Sequence, residues 1–351
     1  MHNDEWNSAV TTTTVHSLAQ VARLAGVSTA TASRAFNAPQ LLSTETLQRV
    51  NAAAEKLQYF PDGLARSLRS KRSMVVGAIM PSLRHAYFAT TVEGLQTAIA
   101  KQGYTLLLAT SNFDPQTELA AARSMIRQGV DGIILVGTQH HPSLLPLLTD
   151  RAKPFMITWT YDQELPSVGF DHRRASQALA SHLLDLGHRD IVVVVAFLAV
   201  SERERERLAG IEDEFAARNM NFAPDRVIYA GGSGLQDGRN ALRTALARFP
   251  SATAVICAND LLAAGAELEC SARGLSVPQD ISITGYGDLE IAAAMNPPIT
   301  TVRTRAEDMG RIAAECLLAK FAGQNVPDHI ELATELIVRG STGPAKSPGD
   351  Q

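Results

Sequence analysis

The stretch VARLAGVSTATASRAFN, Val21 to Asn37, decides how the front of this chain folds. Its first half places Val21, Ala22 and Ala25 at helical spacing behind Leu18. Ser17 stands where a helix N-cap belongs, and Gly26 where a tight turn between helices requires positive φ. Val27 fills the angle, Ser28 is the next N-cap, and a second helix is expected from Thr29 to Phe36. This second helix carries almost no bulk. Ala22 permits a close crossing, Ala32 and Ala35 supply the buried side, and Thr29, Ala30, Thr31, Ser33 and Arg34 form the exposed side. Small side chains let a backbone approach a major groove about 12 Å wide, while hydroxyls and an Arg offer donors to phosphates and base edges. A helical hairpin that serves only a core shares the pattern, so the flanking sequence must discriminate.

The flanks favour the first reading. Ser43 caps a third helix bearing Leu47, Val50, Ala54 and Leu57, which closes a three-helix unit ending at Tyr59-Phe60-Pro61. The connector DGLARSLRSKRS, residues 62–73, follows at once. From His16 to Ser73 there are eight Lys/Arg against three Asp/Glu, whereas residues 74–351 hold 24 against 31. The net charge of −4 therefore hides a small cationic head on an acidic body, and only the head suits a polyanion.

A chain of 351 residues exceeds one small core, so two or three domains are the default. Hydrophobic residues at 45% and charged ones at 19% are ordinary for a globular protein, and no run of eighteen apolar residues exists. The start, MHNDEWNSAVTTTT, lacks the basic-then-apolar layout of a secretory signal, so a cytoplasmic location is expected. Cys257, Cys270 and Cys316 are widely spaced with no CxxC, and read as reduced core thiols.

Residues 1–15 are expected to be a disordered lead, 16–61 the helical head and 62–73 a hinge. At Met74 the texture changes. Apolar runs at 75–81, 104–110, 132–137, 154–159, 190–197, 226–231, 254–259 and 282–287 alternate with amphipathic helical patterns. Continuous β-branched runs between helices indicate parallel strands buried on both faces. Eight strands in two sets of four predict two doubly wound α/β lobes, the first at about 74–170 and 303–325, the second at about 171–302 and 326–340. The Pro/Gly/Ser-rich tail, 341–351, is expected to be disordered, and no heptads follow the body.

The segments LAQVARLAGVSTATASRAFN, Ser43-Thr44-Glu45-Thr46, LQYFP and ARSLRSKRS resemble the head of the LacI/GalR repressors. In the body, MVVGAIMP, GVDGIILVG, LGHRDIVVV, RERLAGI, TAVICANDLLAAGA, GLSVPQDISITGYGD and NPPITTV are similar to the same family, in family order. The resemblance implies an all-α helix-turn-helix head and an α/β body of the periplasmic-binding-protein type I. It implies base reading by Thr29, Ala30 and Arg34, and phosphate contacts from Ser28, Thr31, Ser33, Asn37, Ser43, Thr46 and the backbone near Leu18. In the family the connector folds as a hinge helix whose Leu wedges into the minor groove. That role falls to Leu68, with Ala65 packing the paired hinge and Lys71 and Arg72 near phosphates. Ala30 stands where some members carry a polar residue, so a thymine methyl is its natural contact.

Ligands of open α/β lobes sit beyond the carboxyl ends of the strands. The resemblance names Arg207 as the pocket Arg and Asn259-Asp260 as ligand-binding residues; Asp260 is also placed to cap a helix. Arg203 lies one helical turn before Arg207, Tyr87-Phe88 and Trp159 offer apolar walls, and Asp288 remains where members have an Asp pair. Glu202, Arg205 and Glu206 in the run SERERERL are expected to be solvated and ion-paired. Aromatic walls, an acid and one or two Arg fit a sugar or sugar acid. A ligand-controlled repressor is thus expected, dimeric because one head reads one half of a palindromic site on double-stranded DNA. A solute receptor without a DNA role has no use for the basic head. An enzyme is disfavoured: GSGLQDG, residues 232–238, only approaches a dinucleotide fingerprint, and no GxSxG, HExxH or Walker sequence is present. No cofactor, metal or membrane partner is expected.

Overall fold

The computed structural model describes residues 16–59 and 72–346. The expectations for residues 1–15, for Ala65, Leu68 and Lys71 in the hinge, and for 347–351 lie outside them. The chain divides into two compact units, residues 1–73 and 74–351.

In the first unit, α1 (Leu18–Ala25), α2 (Thr29–Asn37) and α3 (Thr44–Lys56) are joined by a tight turn and by a 3-10 turn at Pro39–Leu41. Gly26 has φ +62°, a left-handed conformation that costs a side chain-free residue nothing. The Val27 N–H then donates to the Ala22 carbonyl at 3.0 Å. Ser28 Oγ accepts from the Thr31 N–H at 3.0 Å and Ser43 Oγ from the Thr46 N–H at 3.3 Å, so both hydroxyls cap their helices. Val21, Ala22, Ala25, Ala32, Ala35, Val50, Ala53 and Ala54 form the core. Their small size brings the three helices close.

The second unit contains β1 (Val75–Met80), α4 (Ala86–Ala100), β2 (Thr105–Thr110), α5 (Pro115–Arg127), β3 (Gly132–Val136), α6 (Leu144–Asp150), β4 (Phe155–Thr158) and β5 (Ser167–Gly169). The chain then passes into α7 (His172–Asp185), β6 (Ile191–Val195), α8 (Glu202–Ala217), β7 (Val227–Tyr229), α9 (Leu235–Arg248), β8 (Ala254–Cys257), α10 (Asp260–Ala272), β9 (Ser282–Thr284) and α11 (Glu290–Ala294). It ends with β10 (Thr301–Arg303), α12 (Ala306–Phe321), β11 (His329–Glu331) and β12 (Glu335–Ile337). One parallel sheet has the order β11-β5-β4-β3-β1-β2, the other β7-β6-β8-β9, and β10 pairs antiparallel with β12. These are the two expected lobes.

All eight expected strands are present. The four others, β5, β10, β11 and β12, are three residues each and no long apolar run surrounds them. One of them corrects a boundary. Residues 326–340 were expected wholly in the second lobe, yet β11 pairs with β5 at the edge of the first sheet, so the chain returns only after it. The tail expectation also fails at its start. Ser341 is fully buried; its Oγ donates to the Ile283 carbonyl at 2.6 Å and its own carbonyl accepts from the Ile283 N–H at 2.9 Å. Residues 341–343 thereby satisfy the outer edge of β9, which would otherwise expose unpaired backbone groups. Lys346 Nζ reaches Asp280 at 2.5 Å.

Helices pack through glycine. A Cβ on Gly310 of α12 would stand 2.1 Å from the Thr91 carbonyl oxygen of α4, and one on Gly94 equally close to the Glu307 carbonyl. Gly310→Val is expected to cost about 2 kcal/mol through overpacking, seen as a lower denaturant midpoint at unchanged slope. A midpoint equal to that of the parent would mean the two helices separate freely. The three cysteines are buried and free. In the second lobe's core, Glu267 of α10 is 4% exposed, and neither of its carboxyl oxygens has a partner.

Candidate functional site

A cavity opens between the lobes, at the carboxyl ends of strands from both sheets. Its first-lobe wall is Tyr87 and Phe88 at the start of α4, Phe113 after β2, and Trp159 after β4. The second lobe contributes Phe197 and Ser201 after β6, Arg203, Glu204 and Arg207 of α8, Ala258 and Asn259 after β8, and Tyr286 and Gly287 after β9. Trp159 packs 5.1 Å from the Tyr87 ring and 5.4 Å from that of Phe88. Phe113 and Phe197 stack across the lobes at 4.4 Å and 17°. Burial pushes the Tyr87 hydroxyl up to about 12, against the opposing pull of Arg207.

Arg207 is the cavity's least satisfied charge. Its guanidinium lies 4.7 Å from the Tyr286 ring centroid, and its nearest carboxylate, Glu204, is 3.7 Å away. Arg207 Nε and Trp159 Nε1 are buried N–H donors without a partner. An unsatisfied buried donor costs about 1–3 kcal/mol, a cost that an acceptor oxygen removes. Glu204 is itself anchored by the N–H groups of Ala196 (3.1 Å) and Phe197 (2.7 Å). Arg203 is 6% exposed and bonds to Glu202 at 2.9 Å.

Of the eight residues expected in the pocket, Tyr87, Phe88, Trp159, Arg203, Arg207 and Asn259 line it, and Asp260 and Asp288 do not. Asn259, not Asp260, caps α10, its Oδ1 accepting from the Leu262 N–H at 2.9 Å. Asp260 is fully buried behind the wall, accepting from Thr301 Oγ1 at 2.5 Å and the Leu289 N–H at 2.7 Å. Burial raises its carboxyl to about 6. Asp288 turns away to Arg303 (2.7 Å) and Arg339 (2.6 Å). The acid in the cavity is Glu204; it, Ser201 and Tyr286 lie in the segments 197–207 and 286–288 that the sequence turns toward the cleft, without being singled out there as ligand residues, and Phe113 was missed. Glu202 is likewise not solvated as expected. Its Oε1 accepts from the Thr138 N–H at 2.9 Å across the lobes. Two further ties join the lobes, Arg205 to Gln139 Oε1 at 2.7 Å and Ser233 Oγ to His85 Nδ1 at 2.8 Å.

On the head, Thr29, Ala30, Arg34 and Asn37 of α2 are exposed and Thr31 is half-buried. At about 100° per residue, Asn37, Ala30, Arg34 and Thr31 fall on one arc. Ser33, expected on that side, is 8% exposed; the Asn37 amide lies against it, Nδ2 donating to its Oγ at 3.2 Å and to its carbonyl at 2.8 Å. Ser28, Ser43 and Thr46 stand at the helix starts, with Ser28 and Ser43 committed to capping, and Leu18 is half-buried against the core. Arg72, next to Ser73 at the start of the second described stretch, is half-buried.

Residues 17–62 match the bacterial regulatory proteins of the lacI family, and residues 180–342 match the periplasmic binding protein-like domain. The HTH-type transcriptional regulator GntR of Escherichia coli (strain K12) is 31% identical over 329 residues, spanning 92% of this chain and 98% of its own. The chain belongs to the LacI family. The regulator MalR of Streptomyces coelicolor is 32% identical over 346 residues, covering 95% of this chain and 98% of its own. The lac repressor dimer bound to operator and the anti-inducer ONPF superposes with a TM-score of 0.83 at 26% identity, over 94% of this chain and 99% of that one. A LacI-family member is a DNA-binding transcriptional regulator, and the relatives are regulators, not enzymes. Among the described residues no helix is long and apolar enough to cross a membrane.

Proposed function

We propose that this LacI-family regulator is a cytoplasmic homodimeric repressor whose grip on a palindromic operator is set by a sugar or sugar acid held between the lobes. The observation that carries the effector class is the pair of unpartnered N–H donors, Trp159 Nε1 and Arg207 Nε, on an aromatic-walled cavity. Such donors call for oxygen acceptors, and a guanidinium whose nearest carboxylate, Glu204, is 3.7 Å away favours an anionic one. A thermal-shift screen of neutral sugars against sugar acids tests this. The acids are expected to stabilise the protein most by mass action, and stabilisation confined to amines or apolar ligands would overturn the class.

The head reads DNA through the exposed arc of α2, where Ala30 admits close approach and Arg34 supplies a forked donor. Arg34→Ala is expected to weaken operator binding by about 1–3 kcal/mol and relax one base position. Equal losses on operator and random DNA would instead assign Arg34 to a phosphate. Effector binding shifts the lobe angle, and a few kcal/mol of differential affinity suffices to move the DNA-binding equilibrium.

A further inference from the structure

One ring ties together the two walls of the cavity. His172 opens α7 directly after β5, where the chain first passes between the lobes. Its Nε2 lies 2.6 Å from the Trp159 carbonyl oxygen, which only accepts, so Nε2 carries the proton. Its Nδ1 lies 3.3 Å from Arg207 Nη1, which only donates, and 3.1 Å from the Tyr286 hydroxyl. The partners leave a single tautomer, a neutral imidazole with its lone pair on Nδ1. The ring is buried against Phe170 at 4.5 Å and Tyr286 at 6.0 Å.

We infer that His172 is a positioning residue of the effector site: it holds the Arg207 guanidinium of one lobe and the Trp159 turn of the other in fixed register, and so couples contact at Arg207 to the lobe angle. This rests on reading the cavity as the effector site. The charges around the ring agree. Arg207 and Arg203 face it from α8, Tyr286 from the turn after β9, and Glu204 stands behind Arg207; Asp171, its neighbour, caps α7 through the Arg174 N–H. Burial first, then Arg207, holds the imidazole pKa well below its ordinary value. Protonation would set an Nδ1–H against a guanidinium N–H, two donors and two cations face to face. Protonated His172 and the closed arrangement therefore exclude one another. Acid favours open lobes, and effector affinity falls only where pH drops into the depressed range in which His172 takes its proton.

The test has two arms. In ¹⁵N-histidine NMR of the full chain, with the signal assigned by its loss in His172→Gln, His172 is expected as the neutral Nε2–H tautomer down to pH 5. Arg207→Ala should raise its pKa. An Nδ1–H tautomer, or ordinary titration in the parent, overturns the inference. In the second arm, D-glucuronate and D-glucose are titrated calorimetrically into the parent and into His172→Asn, →Gln and →Phe. Asn retains the acceptor toward Arg207 and Gln the donor toward Trp159, so each should lose about tenfold in affinity, and Phe clearly more. Binding to the parent should be level from pH 7 to 5 and weaken below pH 5, and that acid weakening should vanish in all three. A merely structural role would lower thermal stability yet leave that pH profile in place, and would overturn the inference. Should neither probe bind the parent, the sugar-acid reading fails, while the tautomer still decides the role of His172.

Discussion

Arg207→Ala protein is expected to keep its operator affinity and lose its response to effector. Arg207 carries the cavity's least neutralised charge, and its Nε has no acceptor until a ligand provides one. Removing one partner of a buried charged hydrogen-bonded pair costs about 3 kcal/mol, which is more than a hundredfold in affinity. The fold should survive the change, because Glu204 retains the N–H groups of Ala196 and Phe197 when the guanidinium is gone. DNA binding should survive because the head forms its own compact unit. The measurement is operator binding with and without the best ligand of the thermal-shift screen. A variant that still responds at the parent's ligand concentration removes Arg207 from the site.

The second large effect concerns pH. Burial raises the Glu267 carboxyl to about 8, and no hydrogen bond or cation offsets it. The native chain therefore keeps a proton that the unfolded chain releases near its ordinary value of about 4.3. Stability from this group is fully present below that value and is lost as pH rises toward 8, at about 1.4 kcal/mol per pH unit, or roughly 5 kcal/mol across the window. Glu267→Met removes the titration. Denaturation at fixed protein concentration from pH 5 to 8 should show the parent weakening while the variant stays nearly flat, with the variant clearly the more stable at pH 8. Parallel curves would mean that Glu267 ionises without cost.

What the sequence made legible was local. Gly26, Ser28 and Ser43 announce the head because a turn and two caps are decided within four residues, and the eight expected strands declare themselves by continuous apolar runs. What it hid is settled at a distance. Asp288 reads as a ligand acid until Arg303 and Arg339, from later segments, claim both its oxygens. Glu204 reads as one more charge in a solvated run, since its burial depends on the backbone after β6. The choice between Asn259 and Asp260 turned on which side chain the helix start directs inward. The strands β5, β10, β11 and β12, which no apolar run marks, exist only because neighbouring strands offer them backbone partners.

The indole of Trp159 stands in the wall of the cavity with its carbonyl bonded to His172, and the chain has just one other tryptophan, Trp6. A Trp6→Phe background would make Trp159 the sole red-edge emitter, placed where the ligand arrives. The regulator would thus carry its own optical gauge of occupancy, and its emission would let ligand arrival be timed without any attached dye.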